Sequence, residues 1–299
     1  MTDLTPNPSP KAEGSQRSSA HAPRGSDSWR VLPFSDAPMG RQLALSEAML
    51  AGLAESHRPA LRWYIPKAEA LVIGNGQKPR IANFETTAER GISIYRRTSG
   101  GTAVFVNADL LSLDVALPAP HPLATSDVVD AYRWMGEVWQ RALVSLGAAK
   151  ARALPVEEAR KQPALAQDDP LRLACYGTLS PWEVVVGKRK LVGLCQVRRR
   201  PGALYQVGIY RHFVPRALGE LLDLGNNQRK TLATRLHNAT VGLDDAAGRA
   251  IPADEVIRAV ETALADAYGS TLQPSRWTAA ELRDADHLER ERFQPFIVS

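Results

Sequence analysis

The sequence predicts an α+β protein in which a mixed β-sheet is flanked by helices. Three observations carry this. Leu111, Leu113, Val115 and Leu117 alternate with Ser112, Asp114 and Ala116, a period of two. Trp182–Val186 and Leu191–Val197 flank Gly187-Lys188 as a hairpin, and Ala203–Tyr210 follows as a third strand. Segments with three- and four-residue apolar spacing lie among these strands, in an order that is not the strand–helix alternation of a Rossmann fold.

The elements follow in order. Residues 1–28 are rich in Pro, Ser and charge and lack the apolar core of a signal peptide, which predicts a disordered leader. Arg30–Phe34 is a strand candidate. Ser35 and Asp36 are candidate caps for a helix to about Glu55, with Pro38 tolerated in its first turn and Leu45, Met49 and Leu53 as its apolar stripe. Leu61–Ile65 and Leu71–Ile73 are β-rich runs. The loop Gly74–Pro79 precedes a short helix around Phe84–Arg90. Ile92–Arg97 and Thr102–Val106 are strands broken by Thr98-Ser99-Gly100-Gly101. Ser126 is the expected cap of a helix to about Leu146, with Val129, Tyr132, Met135, Trp139, Leu143 and Leu146 on its inward face and Gly147 ending it. Residues 148–170, polar and punctuated by Ala and Pro, read as a mobile insertion. Helices are expected at about Pro215–Leu222, Gln228–Asn238, Ala253–Tyr268 and Ala279–Phe293, the last opened by a Thr278/Glu281 capping box.

Composition narrows the class. With 299 residues, 44% hydrophobic and 23% charged, the chain can bury one large core or two modest ones, and disorder of the whole is excluded. A net charge of +5 spread over this length favours acidic partners only weakly. No run approaches the length of a membrane span. Cys175 and Cys195 cannot build a disulfide framework, and the six histidines show no metal-ligand spacing. These readings predict a cytoplasmic protein with no metal site, in which each cysteine is either a small buried hydrophobe or a nucleophile.

Three segments carry chemistry. In Arg96-Arg97-Thr98-Ser99-Gly100-Gly101-Thr102-Ala103-Val104-Phe105, adjacent glycines after a strand can form an anion-binding nest with two arginines at its mouth. In Gly187-Lys188-Arg189-Lys190-Leu191-Val192-Gly193, a lysine beside glycines can hold an anionic oxygen or a carbonyl. Ala174-Cys175-Tyr176, with Ser180, Trp182 and Glu183, leads into that hairpin. Each alone is as readily a charged turn or a structural cysteine. Arg198–Arg200 has no interleaved aromatic residues, which argues against a nucleic-acid surface.

Together, in order and spacing, these segments resemble the lipoyl-attachment branch of the biotin/lipoate protein ligase superfamily, from about Trp29 to the C-terminus. The superfamily's arginine–glycine loop is similar to Arg96–Phe105. Its lysine in a Gly-x-x-Lys-x-x-Gly setting falls on Lys190, its first helix on Gln42–Leu50, and its Gln-then-Asn loop on Gln77 and Asn83. The resemblance implies a class II synthetase-like catalytic domain over residues 29–246 and a helical C-terminal segment over residues 247–299. It implies Cys175 and Lys190 as catalytic residues. It implies Asn83, Arg97, Ser99, Gly100, Gly101, Thr102, Ala103, Val104, Phe105 and Gly193 as substrate- or nucleotide-binding residues.

Within the superfamily, a cysteine fifteen residues before the lysine resembles the cysteine-dependent octanoyltransferases and lipoyl amidotransferases. The Asn-Asp pair more usual in ATP-dependent lipoate ligases is absent, and Pro252–Ser299 looks more like the end of a transferase than a ligase accessory domain. Cys195 has no counterpart and reads as a core residue. The implied reaction moves an octanoyl or lipoyl group through a Cys175 thioester to a lysine of a lipoyl carrier domain or a glycine-cleavage H-type protein, with acyl carrier protein as a donor and no cofactor. A ligase would instead use ATP and Mg, and a non-catalytic acyl-binding protein is the third alternative. Val106 and Val207 stand where the family commonly has histidines, and Thr102 where many ligases have a third glycine. A lone ammonium about 4 Å from the thiol would contribute a few kcal/mol at an effective dielectric near 20, so Lys190 alone could make Cys175 mostly thiolate.

Overall fold

The computed structural model describes residues 28–296. The expected leader lies outside that range except for Ser28, which already opens a strand. The strands among the described residues are β1 (Ser28–Val31), β2 (Ala60–Tyr64), β3 (Ala70–Ile73), β4 (Ser93–Arg96), β5 (Val104–Val106), β6 (Leu110–Pro118), β7 (Ala151–Ala153), β8 (Val184–Val186), β9 (Arg189–Arg199), β10 (Gly202–Tyr210) and β11 (Thr271–Pro274). Eight of them form one sheet in the order β11-β1-β2-β6-β10-β9-β8-β7, and the other three a small sheet, β4-β3-β5. The large sheet is parallel across β11, β1 and β2 and antiparallel beyond. A mixed sheet with hairpins at its centre is the predicted fold class.

Helices cover both faces: α1 (Met39–Ala51), α2 (Leu53–Ser56), α3 (Phe84–Glu89), α4 (Arg133–Ser145), α5 (Val156–Arg160), α6 (Pro215–Leu221), α7 (Asn226–Ala239), α8 (Leu243–Ala247), α9 (Ala253–Tyr268) and α10 (Ala279–Glu291). On one face of the large sheet, Leu111, Leu113, Val115, Val207 and Ile209 pack against Trp134, Val138 and Trp139 of α4 and Val256, Val260 and Leu264 of α9. The opposite face meets α1 and the small sheet. Ala70, Val72, Val104 and Val106 face inward there, while Leu71, Ile73, Ala103 and Phe105 turn to α6 and α7. This second covering explains why β6 is buried along its whole length, Ser112 and Asp114 included, where the alternation predicted a half-buried strand.

Polar side chains on that covered face are paired. Arg62 (β2) and Asp114 (β6) are both fully buried at 2.7 Å, and Gln42 and Ser46 of α1 complete their hydrogen bonding. Desolvated charges demand such partners. The network fixes the position of α1 over the sheet.

Several local expectations are corrected. Ser35 and Asp36 do not cap α1. Pro38 occupies the N-cap position without a side-chain bond, and Ser35 instead accepts from the Gln42 carboxamide. Proline disfavours helical backbone in the residue before it, so the helix cannot start earlier. Gly52 separates α1 from α2. Ser126 likewise caps nothing. The Asp127 carboxylate takes the Val129 and Asp130 N–H groups, a 3₁₀ turn follows at Asp130–Tyr132, and α4 begins only at Arg133. Met135, Trp139, Leu143 and Leu146 are buried as expected. Residues 148–170 are not a structureless insertion. They hold β7, which extends the sheet by pairing with β8, and α5. Ala-Arg-Ala carries no strand signal, and β7 is held by its neighbours, including the Gln140 side chain on the Ala153 N–H. Helix α8 and strand β11 were also not foreseen.

The helical C-terminal extension is present, and a buried ion pair ties it to the sheet. Glu281 caps α10 together with Thr278, and its carboxylate also takes two bonds from Arg30 of β1, at 2.7 and 2.8 Å. Burial opposes ionisation of Glu281, but the bonds from Arg30 and the Thr278 N–H outweigh it and hold the carboxyl below its ordinary 4.5. Glu281→Gln should therefore cost about 3–5 kcal/mol in urea unfolding at neutral pH, because Arg30 stays buried without its counter-charge. The wild-type contribution is present above pH 4.5 and is lost as pH falls through the lower folded value. A variant unfolding at the wild-type urea concentration would show the pair to be dispensable.

Candidate active site

The register of the large sheet builds the floor of a cleft. Gly193 (β9), Gly208 (β10), Ser112 (β6) and Tyr64 (β2) stand opposite one another in one row. The next row holds Cys195, Gln206, Asp114 and Arg62. Both rows lie on the face toward α1 and the small sheet, since side chains two apart on a strand share a face. The two glycines leave the first row bare over β9 and β10. Tyr176 lies across the gap with its ring near Gly193, and its hydroxyl donates to the Gly208 carbonyl at 2.6 Å.

Above this floor, Val72, Val104 and Val106 of the small sheet and Met39 and Leu43 of α1 form an apolar wall. The cleft holds about 680 Å³ of empty space, its open mouth on solvent included. Both cysteines, Arg97 and Gly193 also line it. Val106 contributes an apolar surface where a histidine was the family norm. Val207 points the other way, into the layer packed on α4.

Cys175 sits in a 3₁₀ turn, Cys175–Gly177, partly exposed. The start of β5 positions it. The Ala103 N–H donates to the Leu173 carbonyl at 2.8 Å, and the Cys175 N–H donates to the Ala103 carbonyl at 2.9 Å. Thr240 secures the same turn through the Tyr176 carbonyl, while the Val241 N–H bonds the Lys190 carbonyl. The cysteine turn and the lysine strand thus share one anchor at the end of α7.

Lys190 reaches this place through a change of register. Val185 pairs with Lys190 but Val184 pairs with Val192, so Leu191 is an extra residue in β9. Leu191 and Val192 both enter the α4 side core. The bulge shifts the parity of the strand and brings Lys190 to the same face as Gly193. Its ammonium, 2% exposed, donates to the Cys175 carbonyl at 3.0 Å and to Glu183 at 2.8 Å. Glu183, equally buried, also accepts from the N–H groups of Ser180 (2.7 Å) and Leu194 (3.3 Å). Burial pushes its carboxyl up from the usual carboxylate range, and Lys190 pulls it back only in part. The ammonium is therefore half of a buried pair and bonds the main chain of Cys175. The field at the thiol is that of the pair, not of the lone cation on which the sequence-based activation was reckoned. Glu183 was missed as a partner. The available signal was an acid and a lysine astride one hairpin turn.

In the arginine–glycine loop, expected to form an anion nest, the guanidinium of Arg97 is bonded to loop carbonyls. Arg97, 8% exposed, folds back on its own loop. It donates to the Gly100 carbonyl at 2.8 and 3.2 Å and to the Thr102 carbonyl at 2.9 Å. Arg96 lies over the Phe296 ring. Gly101 has φ +88°, a backbone that favours glycine, and a side chain on Gly74 would collide with the Gly101 carbonyl. Ser99 is buried and faces the Cys195 sulfur at 3.4 Å. Ala103 and Phe105 are core residues of the small sheet's outer face. Asn83 spends its side chain on capping α3 through the Thr86 N–H, and Gln77 closes the Gly74 turn. The structure thus gathers Arg97, Val104, Cys175 and Gly193 around the cleft with Lys190 beside it, while Asn83 and Phe105 support it from outside.

Comparison with known proteins places this geometry. The family described as the lipoyl protein ligase A/B catalytic domain matches residues 38–265. A protein of Kyrpidia tusciae named octanoyltransferase LipM is 32% identical over 263 residues, 87% of this chain and 94% of its own length. One of an Exiguobacterium species with the same name is 26% identical over 265 residues, 88% and 95% of the two chains. Among solved structures, a bipartite lipoate protein ligase of Thermoplasma acidophilum, studied with its E2 lipoyl domain, superposes with a TM-score of 0.71 at 18% identity, covering 89% of this chain and 93% of that one. A lipoate-protein ligase A bound with ATP gives 0.68 at 19% identity, over 89% and 95%. These two show the fold.

Arg97→Ala should lower stability by about 2–3 kcal/mol in thermal or urea unfolding, since the Gly100 and Thr102 carbonyls lose a charged donor. Arg97→Lys should recover little, because an ammonium cannot reproduce the guanidinium fork. An unchanged melting temperature combined with lost ligand binding would instead make Arg97 a ligand-facing residue.

Proposed function

The chain belongs to the lipoyl protein ligase A/B catalytic-domain family, and we propose that it is an octanoyltransferase working through a thioester on Cys175. The observation that carries this reading is a partly exposed cysteine, held by β5 at the edge of an apolar cleft beside a buried lysine. The octanoyl chain lies against Val72, Val104, Val106, Met39 and Leu43. Removing its methylenes from water supplies binding energy of about 0.8 kcal/mol for each. In the first step the Cys175 sulfur attacks the octanoyl thioester of the donor. A carbon–sulfur bond to Cys175 forms, the donor's breaks, and the thiol proton passes to the departing sulfur. In the second step the acceptor lysine's amine attacks, an amide bond forms as the carbon–sulfur bond to Cys175 breaks, and the sulfur regains a proton from that nitrogen. Lys190 stabilises the oxyanion that develops at the carbonyl in both steps.

The donor is an acyl carrier protein, and the acceptor is a lipoyl carrier domain or an H-type protein. The named activity of the LipM relatives and the E2 lipoyl domain studied with the archaeal neighbour support this choice. The ligase alternative would require the loop to hold a nucleotide. The groups it would use are engaged within the protein: Arg97 with loop carbonyls, Asn83 with α3 and Ser99 against Cys195. Octanoyl transfer needs no cofactor. No helix among the described residues is long and apolar enough to cross a membrane.

Intact mass after incubation with octanoyl-acyl carrier protein tests the reading. The wild type should gain one octanoyl group, and Cys175→Ala should gain none and transfer none to the acceptor. Cys195→Ala should keep most of its activity. A Cys175→Ala protein that transfers octanoate at the wild-type rate would rule out the covalent route, and activity only with ATP and free lipoate would move the chain to the ligases.

A further inference from the structure

We infer that Glu183 is a positioning residue of the transfer reaction, aiming the Lys190 ammonium at the carbonyl that Cys175 attacks. The inference rests on the thioester reading above and adds to it a role for Glu183. Lys190 has almost no contact with water. A charge so enclosed demands a fixed partner. Glu183 supplies that charge at 2.8 Å. The carboxylate is in turn fixed by the Ser180 and Leu194 N–H groups, so its position follows the backbone on both sides of the β8–β9 hairpin.

Donor geometry adds a second argument. An ammonium has three N–H groups. One goes to Glu183 and one to the Cys175 carbonyl, which leaves one for an oxyanion at the cysteine. Without the Glu183 carboxylate, the ammonium would lose the acceptor that orients it. The other titratable group facing this ammonium is the Tyr176 phenol, whose ring lies 5.6 Å from Nζ, with Tyr210 behind it. Burial pushes both phenols up, so they remain neutral and Glu183 is the anion that matters.

The test compares full-length wild type, Glu183→Gln and Glu183→Asp in single-turnover acylation of Cys175 by octanoyl-acyl carrier protein, followed by intact mass from about pH 6 to about pH 9. Glu183→Gln should slow acylation about 100-fold at the alkaline end, comparable to losing an oxyanion donor. Glu183→Asp should keep the wild-type pH profile with a reduced rate. A folded Glu183→Gln with the wild-type rate and profile overturns the inference. Should that variant fail to fold, Glu183→Asp decides: an unchanged rate overturns positioning, and a reduced rate with the wild-type profile supports it. A wild type that never gains the octanoyl group brings down the thioester reading and this inference with it. Acylation in the wild type, unaffected by either substitution, brings down the inference alone.

Discussion

Everything at the site depends on the one face of the large sheet that carries glycine where its neighbours carry side chains. Gly193 and Gly208 are in register on β9 and β10, and the small sheet and α1 cannot collapse onto them because Tyr176 bridges the gap. Close packing is the default in a protein interior, and a cavity persists only where rigid surroundings hold it open. Here the surroundings are stiff. The other face of the same strands is locked into the tryptophan-rich layer of α4, and α1 is pinned by the Arg62–Asp114 network. A cleft bounded by two sheets, unlike one between loops, has walls whose side chains are set by register.

Among the described residues, three buried ion pairs divide the work of holding this arrangement. Arg62–Asp114 fixes a helix on the sheet, Arg30–Glu281 fixes the C-terminal helix on β1, and Lys190–Glu183 lies beside the cleft. Ion pairs of this kind gain little net stability over apolar packing, since desolvation offsets the attraction. Their value is geometric, because each charge is satisfied in one arrangement only. The first two are saturated by protein partners, with Gln42 and Ser46 around one and the capping box around the other. The third differs because the lysine also touches the backbone of the cysteine turn.

Architecture was legible in the sequence where periodicity and turn residues agreed. The β8–β9–β10 hairpins, α9 and the Thr278/Glu281 box all have strong local signals, and all are present. What could not be read was decided by distant partners. Strand β7 is Ala-Arg-Ala and exists because β8 offers it an edge, and β11 exists because β1 does. The burial of Ser112 and Asp114 follows from a second layer that alternation cannot reveal. At the site, residue type marked Cys175, Lys190 and the arginine–glycine loop, but not direction. Arg97 turns inward to its own carbonyls, and Lys190 turns to Glu183, because a buried charge needs a partner. The bulge at Leu191, which gives Lys190 its facing, has no sequence signature in a run of apolar residues.

The two thiols of the cleft show how environment separates residues of one type. Cys195 lies in the floor between Ser99 and Gln206, in the row that ends in the Arg62–Asp114 pair. Burial pushes its thiol up, and Arg97 and the Ser99 hydroxyl pull it back only partly, so it remains a protonated, weak nucleophile packed as a small apolar group. Cys175 is on a turn outside the sheet and, like Cys195, is partly exposed. Nucleophilic substitution at a carbonyl needs access for the attacking sulfur and a donor for the oxygen that becomes negative. What sets the two thiols apart is the ammonium that bonds the Cys175 turn, and the proposed covalent step rests on that difference.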